Sequence, residues 1–173
     1  MQQPTTVEWV IKAVRAIEQD FDAPDDDFEA MIVMETKSEQ LMIFPAGQLM
    51  NSETTKDLMA EVVLPGLIRK HKVSRVVAVL SAWCVQVGKE YDSDSSPRPS
   101  EHPDRYEVLL VTEMTAQGVG SDYWAYINRD PFLIEPPSLG EFELQPETAT
   151  HEGRFVDPIV AALKEVEHDG SPA

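Results

Sequence analysis

Apolar positions recur three and four apart through the first twenty residues. Val7, Val10, Val14, Ile17 and Phe21 form that stripe, the signature of an amphipathic helix. Ile11 borders it on one side, and Trp9, Ala13 and Ala16 widen it on the other. In front of it Thr5-Thr6-Val7-Glu8 has the form of a capping box, with the Thr5 hydroxyl facing the Glu8 amide and the Glu8 carboxylate reaching back. The helix is expected to run to about Asp20. Trp9 lies beside the stripe, where it suits either a loop-covered core or a partner subunit.

The acidic run 22–27, with Pro24 inside it, ends that periodicity. Two short runs rich in Met, Ile and Val follow, at about 28–35 and 40–44, and the polar residues 36–39 between them predict a hairpin. Pro45-Ala46-Gly47 stops the second strand. Helical spacing returns near residues 52–54, with Leu58, Met59, Val62, Val63, Leu67 and Ile68 on one face. Pro65-Gly66 is expected to kink or split this helix, because Pro65 removes a backbone donor and crowds the preceding turn. The helix ends in Arg69-Lys70-His71-Lys72, cations placed where the helix dipole is negative.

Residues 73–87 are nearly continuous in apolar and β-branched character, which marks a central strand covered on both faces near its start. The stretch 88–104 is a polar, acidic loop with three prolines. Strands at 106–115 and 123–129 follow, joined through Ala116-Gln117-Gly118-Val119-Gly120 as a hairpin. The acidic, proline-rich stretch 130–153 is expected to be mostly irregular, with one short strand near 141–144. Asp157-Pro158 then reads as N-cap and first helical residue, with Ile159, Val160, Leu163 and Val166 turned to the core. Residues 168–173 read as a frayed tail. The order is α-β-β-α-β-β-β-α: one α+β domain over 1–173, with helices packed on a mostly antiparallel sheet of about five strands.

Charge changes the picture of partners. With 31 acidic against 14 basic residues the formal net charge is −17. Such a surface repels phosphate backbones and anionic membranes, so direct nucleic-acid and membrane binding are not expected. A partner with a basic surface is electrostatically favoured. Much of the charge falls between core elements, at 20–29, 90–104 and 135–152. Cys84 is the single cysteine, which rules out an intramolecular disulfide. The first residues lack a basic and apolar leader, and no apolar run approaches the ~20 residues of a spanning helix. A cytoplasmic protein is the expectation.

Candidate chemistry is sparse. Asp92-Ser93-Asp94-Ser95-Ser96 opens like a calcium loop, but Pro97 stands where the sharp turn needs Gly and Pro103 where a bidentate Glu belongs. Cys84 in an apolar strand is expected to be buried and inert. Gly118-Val119-Gly120 lacks the third glycine of a dinucleotide loop. His102, Asp104, Arg105 and Glu107 form the one compact set of acid–base side chains. The same run also suits a turn: Pro103 keeps His102 extended, Asp104 bonds the local backbone, and Arg105 pairs with a carboxylate. No metal-ligand spacing is present, and no cofactor is implied. On the strand at 123–129, Tyr123 points to one face and Trp124 and Tyr126 to the other. Together with Trp83 these are candidates for lining a groove.

Trp83, the run Ser100-Glu101-His102-Pro103-Asp104-Arg105-Tyr106-Glu107-Val108-Leu109 and the later strand 124–130 resemble a group of uncharacterised bacterial and phage-type proteins. The resemblance spans about residues 76–130. It implies that the junction at His102 to Arg105 is a shared trait and transfers no activity.

The leading expectation is a non-enzymatic interaction or regulatory protein, a homodimer through Trp9 and open sheet edges, meeting a basic partner through its acidic surface and Tyr123, Trp124 and Tyr126. One alternative is a hydrolase-like or metal-assisted enzyme centred on His102 and Asp104. The other is an acidic nucleic-acid mimic that blocks a DNA-binding protein.

Overall fold

A computed structural model describes residues 5–85, 98–145 and 154–169. Helix α1 spans Thr6–Gln19. The Thr5 hydroxyl accepts from the Glu8 amide at 3.3 Å, and the Thr5 amide donates to the Glu8 carboxylate at 2.8 Å, so the capping box forms as read. The hairpin β1 (Met31–Thr36) and β2 (Leu41–Pro45) follows. Its turn places Glu39 at φ +60. Residues 28–30 lie before β1 rather than in it, and Phe28 is buried there against Phe21, ring centroids 4.8 Å apart.

The second helix is neither split nor ended at Pro65. Helix α2 (Glu53–Leu58) passes through a π turn at Met59–Val63 straight into α3 (Leu64–His71). The Leu64 amide reaches back five residues to the Met59 carbonyl. This widened turn absorbs the donor that Pro65 lacks and the space its ring needs. Lys72 caps α3 in the left-handed region at φ +53. Its basic end serves the fold, since Arg69 forms a two-bond pair with Glu165 of α4 (Val156–His168).

The remaining strands are β3 (Val73–Cys84), β4 (Tyr106–Thr115), β5 (Gly118–Asn128), β6 (Ser138–Leu139) and β7 (Glu143–Leu144). The sheet runs β2-β1-β3-β4-β5-β6, with β7 also on β5, and every pairing is antiparallel. The α+β reading therefore holds, with the short strand expected near 141–144 present as β7 and one more, β6, added to the sheet. Strand β5 starts five residues earlier than expected. Gly118, at φ +115, closes the turn directly against Thr115. At Gly120 a Cβ would come within 3.0 Å of the Glu113 carboxylate. Both glycines thus serve the strand pairing itself. Asp157 is not the N-cap of α4; the helix starts two residues earlier than expected, at Val156 rather than Pro158, with Asp157 in its first turn, where a carboxylate favours the dipole.

Val76, Val77, Ala78 and Val79 are all buried, so β3 is covered on both faces. On one face the π turn, α3 and α4 cover a core with Ile32, Met34, Leu64, Ile68, Met114 and Ile159. On the other, α1 covers Val33, Val77, Val79, Leu109, Val111 and Ala125. Arg15 holds α1 to the far edge by donating to the Leu139 carbonyl at 3.1 Å, and Glu18 accepts from the Leu139 amide at 2.6 Å. Among the described residues no helix is long and apolar enough to cross a membrane. The expected tail begins at the end of α4, and residues 170–173 lie outside the described residues. So do residues 86–97 and 146–153, which include the calcium-like run.

Arg154 joins the start of α4 to α2 through Glu53 and Asp57. Its hydrogen bond, followed by that of Lys56, holds the Glu53 carboxyl down from 4.5 to about 2. A depressed folded-state pKa stabilises above the unfolded value and is lost as pH falls through the folded one. This contribution is therefore complete above pH 4.5 and disappears toward pH 2. A carboxyl-carbon NMR titration should find the Glu53 midpoint near 2; a midpoint near 4.5 would mean that Arg154 does not hold the two helices together.

Candidate functional site

The junction before β4 is a turn, and His102, Arg105 and Glu107 go to separate partners. A single 3-10 turn at Pro99–Glu101 leads into His102, whose backbone is extended at φ −75, ψ 137. The His102 ring accepts the Asp104 amide at Nδ1, 3.1 Å away. Arg105 donates to the Ser100 carbonyl at 2.8 Å and lies over the Trp83 ring, 4.8 Å from its centroid. The carboxylate expected to pair with Arg105 is not found among the described residues. Glu107 is committed elsewhere, accepting from Arg129 at 2.6 and 3.0 Å. Among the described residues no group of three or more His, Cys, Asp or Glu is placed to hold a metal. A hydrolytic centre needs its base, nucleophile and electrophile aimed at one point, and these side chains go to three different partners.

The aromatic residues divide between the two faces of the sheet. Pairing Trp83↔Glu107 puts Trp83 on the α1 side. Tyr123 packs at the edge of the α1-side core. The pairings Cys84↔Tyr106, Val108↔Tyr126 and Leu110↔Trp124 put those six residues together on the opposite side. Trp83 therefore does not share a groove with Trp124 and Tyr126. One-residue parity separates them, and only the strand register reveals it. Trp9 packs on the α1-side core near the start of α1, beside Thr5, Leu41 and Arg75, on the opposite face of the sheet from Trp124 and Tyr126.

What gathers instead is Tyr106, Trp124 and Tyr126. Trp124 meets Tyr126 edge-on with centroids 4.8 Å apart, and Tyr106 lies 5.3 Å from Tyr126. Beside them is an open cleft of about 460 Å³ floored by Cys84, Val108 and Leu110. Glu143, paired with Trp124 across β7, brings a carboxylate to its rim. Helices α3 and α4 cover the same face of the sheet only at its other end, over Val76, Ala78 and Met114. Burial, then the neighbouring Cys84 and Tyr126, pushes the Tyr106 phenol up. Burial also pushes the Cys84 thiol up, away from the reactive thiolate. Cys84 is half-buried rather than fully buried, because it stands where the helix layer has ended.

Tyr106 was legible only as the first residue of a strand. Its even spacing from Val108 and Leu110 fixed its face, but its neighbours across β5 depend on register. Comparison with protein-family models, curated proteins and solved structures returned no match for the chain.

Proposed function

We propose that this chain is a non-enzymatic interaction module that receives a cationic segment of a protein partner on its aromatic sheet face. The observation that carries this is the Tyr106–Trp124–Tyr126 cluster with Glu143 at its rim. Aromatic faces attract Lys and Arg side chains, most strongly Trp, and a carboxylate beside them adds a charge-assisted partner. The net charge of −17 draws a basic segment in from solution. Neutral Tyr106 and Cys84 place no competing negative charge in the cleft floor. The nucleic-acid mimic needs free carboxylates in ordered rows. Glu53, Glu107, Glu113 and Glu165 are instead paired with Arg154, Arg129, Arg75 and Arg69.

The test is calorimetry with an end-capped nonapeptide of Lys, Arg and Gly, set against its Glu-substituted counterpart. The cationic peptide is expected to bind, more weakly as salt rises, and the acidic one not at all. Trp124→Ala and Tyr126→Ala should each weaken binding roughly tenfold or more, about 1.4 kcal/mol. Trp9→Ala, on the far end of α1, should leave it unchanged. Equal binding by all three variants would show that diffuse charge alone attracts the peptide, and the aromatic-face reading would be discarded.

A further inference from the structure

The turn after β5 is held by one residue. Asp130 Oδ1 accepts from the Phe132 amide at 2.9 Å, and Oδ2 from the amides of Ile134 at 2.9 Å and Glu135 at 3.1 Å. Its backbone carbonyl accepts from the Leu133 amide at 3.0 Å. All four amides from 132 to 135 thus point to Asp130. The turn forces Leu133 to φ +53, in the left-handed region that a residue with a Cβ rarely adopts. What this shape displays is three consecutive large apolar side chains: Phe132, Leu133 and Ile134 are 80%, 68% and 75% exposed. A strained, clasped turn that holds apolar groups in water gains the fold nothing, which points to a use outside it.

An apolar recess lies beside this finger. It sits between α1 and β2, is lined by Val14, Ile17, Phe28, Met31, Ile43 and Val79, and has a volume of about 330 Å³. An apolar cavity of ~150 Å³ accepts a benzene ring, so this one has room for more than one large side chain. Ile17 and Ile43 leave 43% and 54% of their surface exposed around it. The Arg129–Asp27 ion pair, 2.7 Å, joins the two features: Asp27 lines the recess, and Arg129 adjoins Phe132 and Ile134 at the base of the finger. Finger and recess therefore stand side by side.

Adjacent finger and recess are what a two-fold interface requires, since each copy must offer both to the other. We propose that the chain forms a symmetric dimer in which Phe132, Leu133 and Ile134 of each copy enter the recess between α1 and β2 of the second. Phe132, Leu133 and Ile134 in the finger and Ile17 and Ile43 at the recess form the apolar centre of this interface, and the polar rim around it completes the area. A standard interface uses roughly 800 Å² per partner. Residues 131–134 carry no charge; of the two carboxylates at the recess, Asp27 is paired with Arg129, and Glu29 is solvent-exposed. The opposing force is the long-range repulsion of two chains at −17, which salt screens. The surface is separate from the aromatic face, so this dimer neither requires nor excludes cationic-peptide binding.

Sedimentation velocity of the full chain, from about 1 to 500 μM at low and at ~0.5 M salt, tests the proposal. A dimer is expected, with its dissociation constant falling as salt rises. Phe132→Ser with Ile134→Ser in the finger, and separately Ile43→Ser in the recess, should each raise that constant more than tenfold. Ile43→Lys, at the same exposed position, repeats the recess arm, and far-ultraviolet circular dichroism confirms that each variant folds. The deciding measurement mixes the finger variant with a recess variant. Their heterodimer keeps one intact finger and recess, so native mass spectrometry should find it at concentrations where neither variant pairs with itself. A wild type that stays monomeric throughout overturns the proposal. So does a finger variant that dimerises like the wild type, or a mixture that forms no heterodimer.

Discussion

Arg129→Met is expected to destabilise the fold by about 2–3 kcal/mol, the largest loss available from any single ion pair among the described residues. Glu107, with a side chain only 9% exposed, receives two of the guanidinium bonds. A third goes to the Asp27 carboxylate at 2.7 Å and a fourth to the Asp26 carbonyl at 3.3 Å. The Glu107 bonds dominate in pushing the Arg129 pKa up, so the guanidinium stays charged at every accessible pH. Methionine would keep the stem's packing and remove every donor, leaving Glu107 desolvated and unpaired. Complete burial would cost ~3–5 kcal/mol, and the 31% exposure of Arg129 lowers the figure through solvent screening. The double variant with Glu107→Gln should recover more than half of the loss, because no buried charge is then left without a partner. Urea denaturation measures both. A single-variant loss under ~0.5 kcal/mol would mean that water replaces the guanidinium and the pair is ornamental.

Leu109→Ala and Ile159→Ala should each cost about 3 kcal/mol, and their losses should add. Both side chains are fully buried, and truncation of a large aliphatic residue in a packed core costs ~2–5 kcal/mol. Leu109 belongs to the α1-side core and Ile159 to the core under α3 and α4, so the sheet stands between them. Sites more than ~7–10 Å apart without shared partners add to within ~0.5 kcal/mol. A double variant that unfolds in one transition with the summed loss would show two cores that melt as one unit. Two separated transitions would instead show that one helix layer can leave the sheet while the other remains.

Local signals in the chain were sufficient for most elements. Thr5 and Glu8 act within three residues of each other, so the start of α1 was readable. The four consecutive buried residues of β3 could only belong to a strand covered twice. Strand β4 appears with the bounds its pattern implied. Where the local signal misled, a neighbour was responsible. Ile17 continues the α1 stripe, yet it stands at the open recess because β2 is an edge strand with no further layer over it. Pro65 breaks an isolated helix, yet here a π turn accommodates it beneath the packing of α3 on α4. Asp157 and Pro158 carry a strong start signal, but the helix begins two residues before Pro158.

The candidate sites were less legible. His102, Asp104, Arg105 and Glu107 lie within six positions in sequence, and proximity suggested a centre. Their side chains diverge because a turn and a strand aim successive residues in different directions. Phe132, Leu133 and Ile134 were hidden inside a stretch whose prolines and carboxylates dominate its average composition. Their prominence depends on Asp130 clasping four amides, which no periodicity reports.

By itself the sequence determined the α+β class, the order of the main elements and the acidic coat. These follow from spacing within ten or so residues, where backbone geometry alone decides which side chains share a face. It did not determine the apolar face of the second helix, where the π turn shifts the register and leaves Leu58 and Val62 52% and 59% exposed. Only the tertiary structure decided that Trp83 is parted from Trp124 and Tyr126, that Tyr106 joins them, and that a finger stands beside a recess. Those relations are set by strand register and by an ion pair between residues 102 positions apart, Asp27 and Arg129. Such contacts carry no mark in the local pattern, because the chain pays their closure entropy only once the whole sheet has assembled.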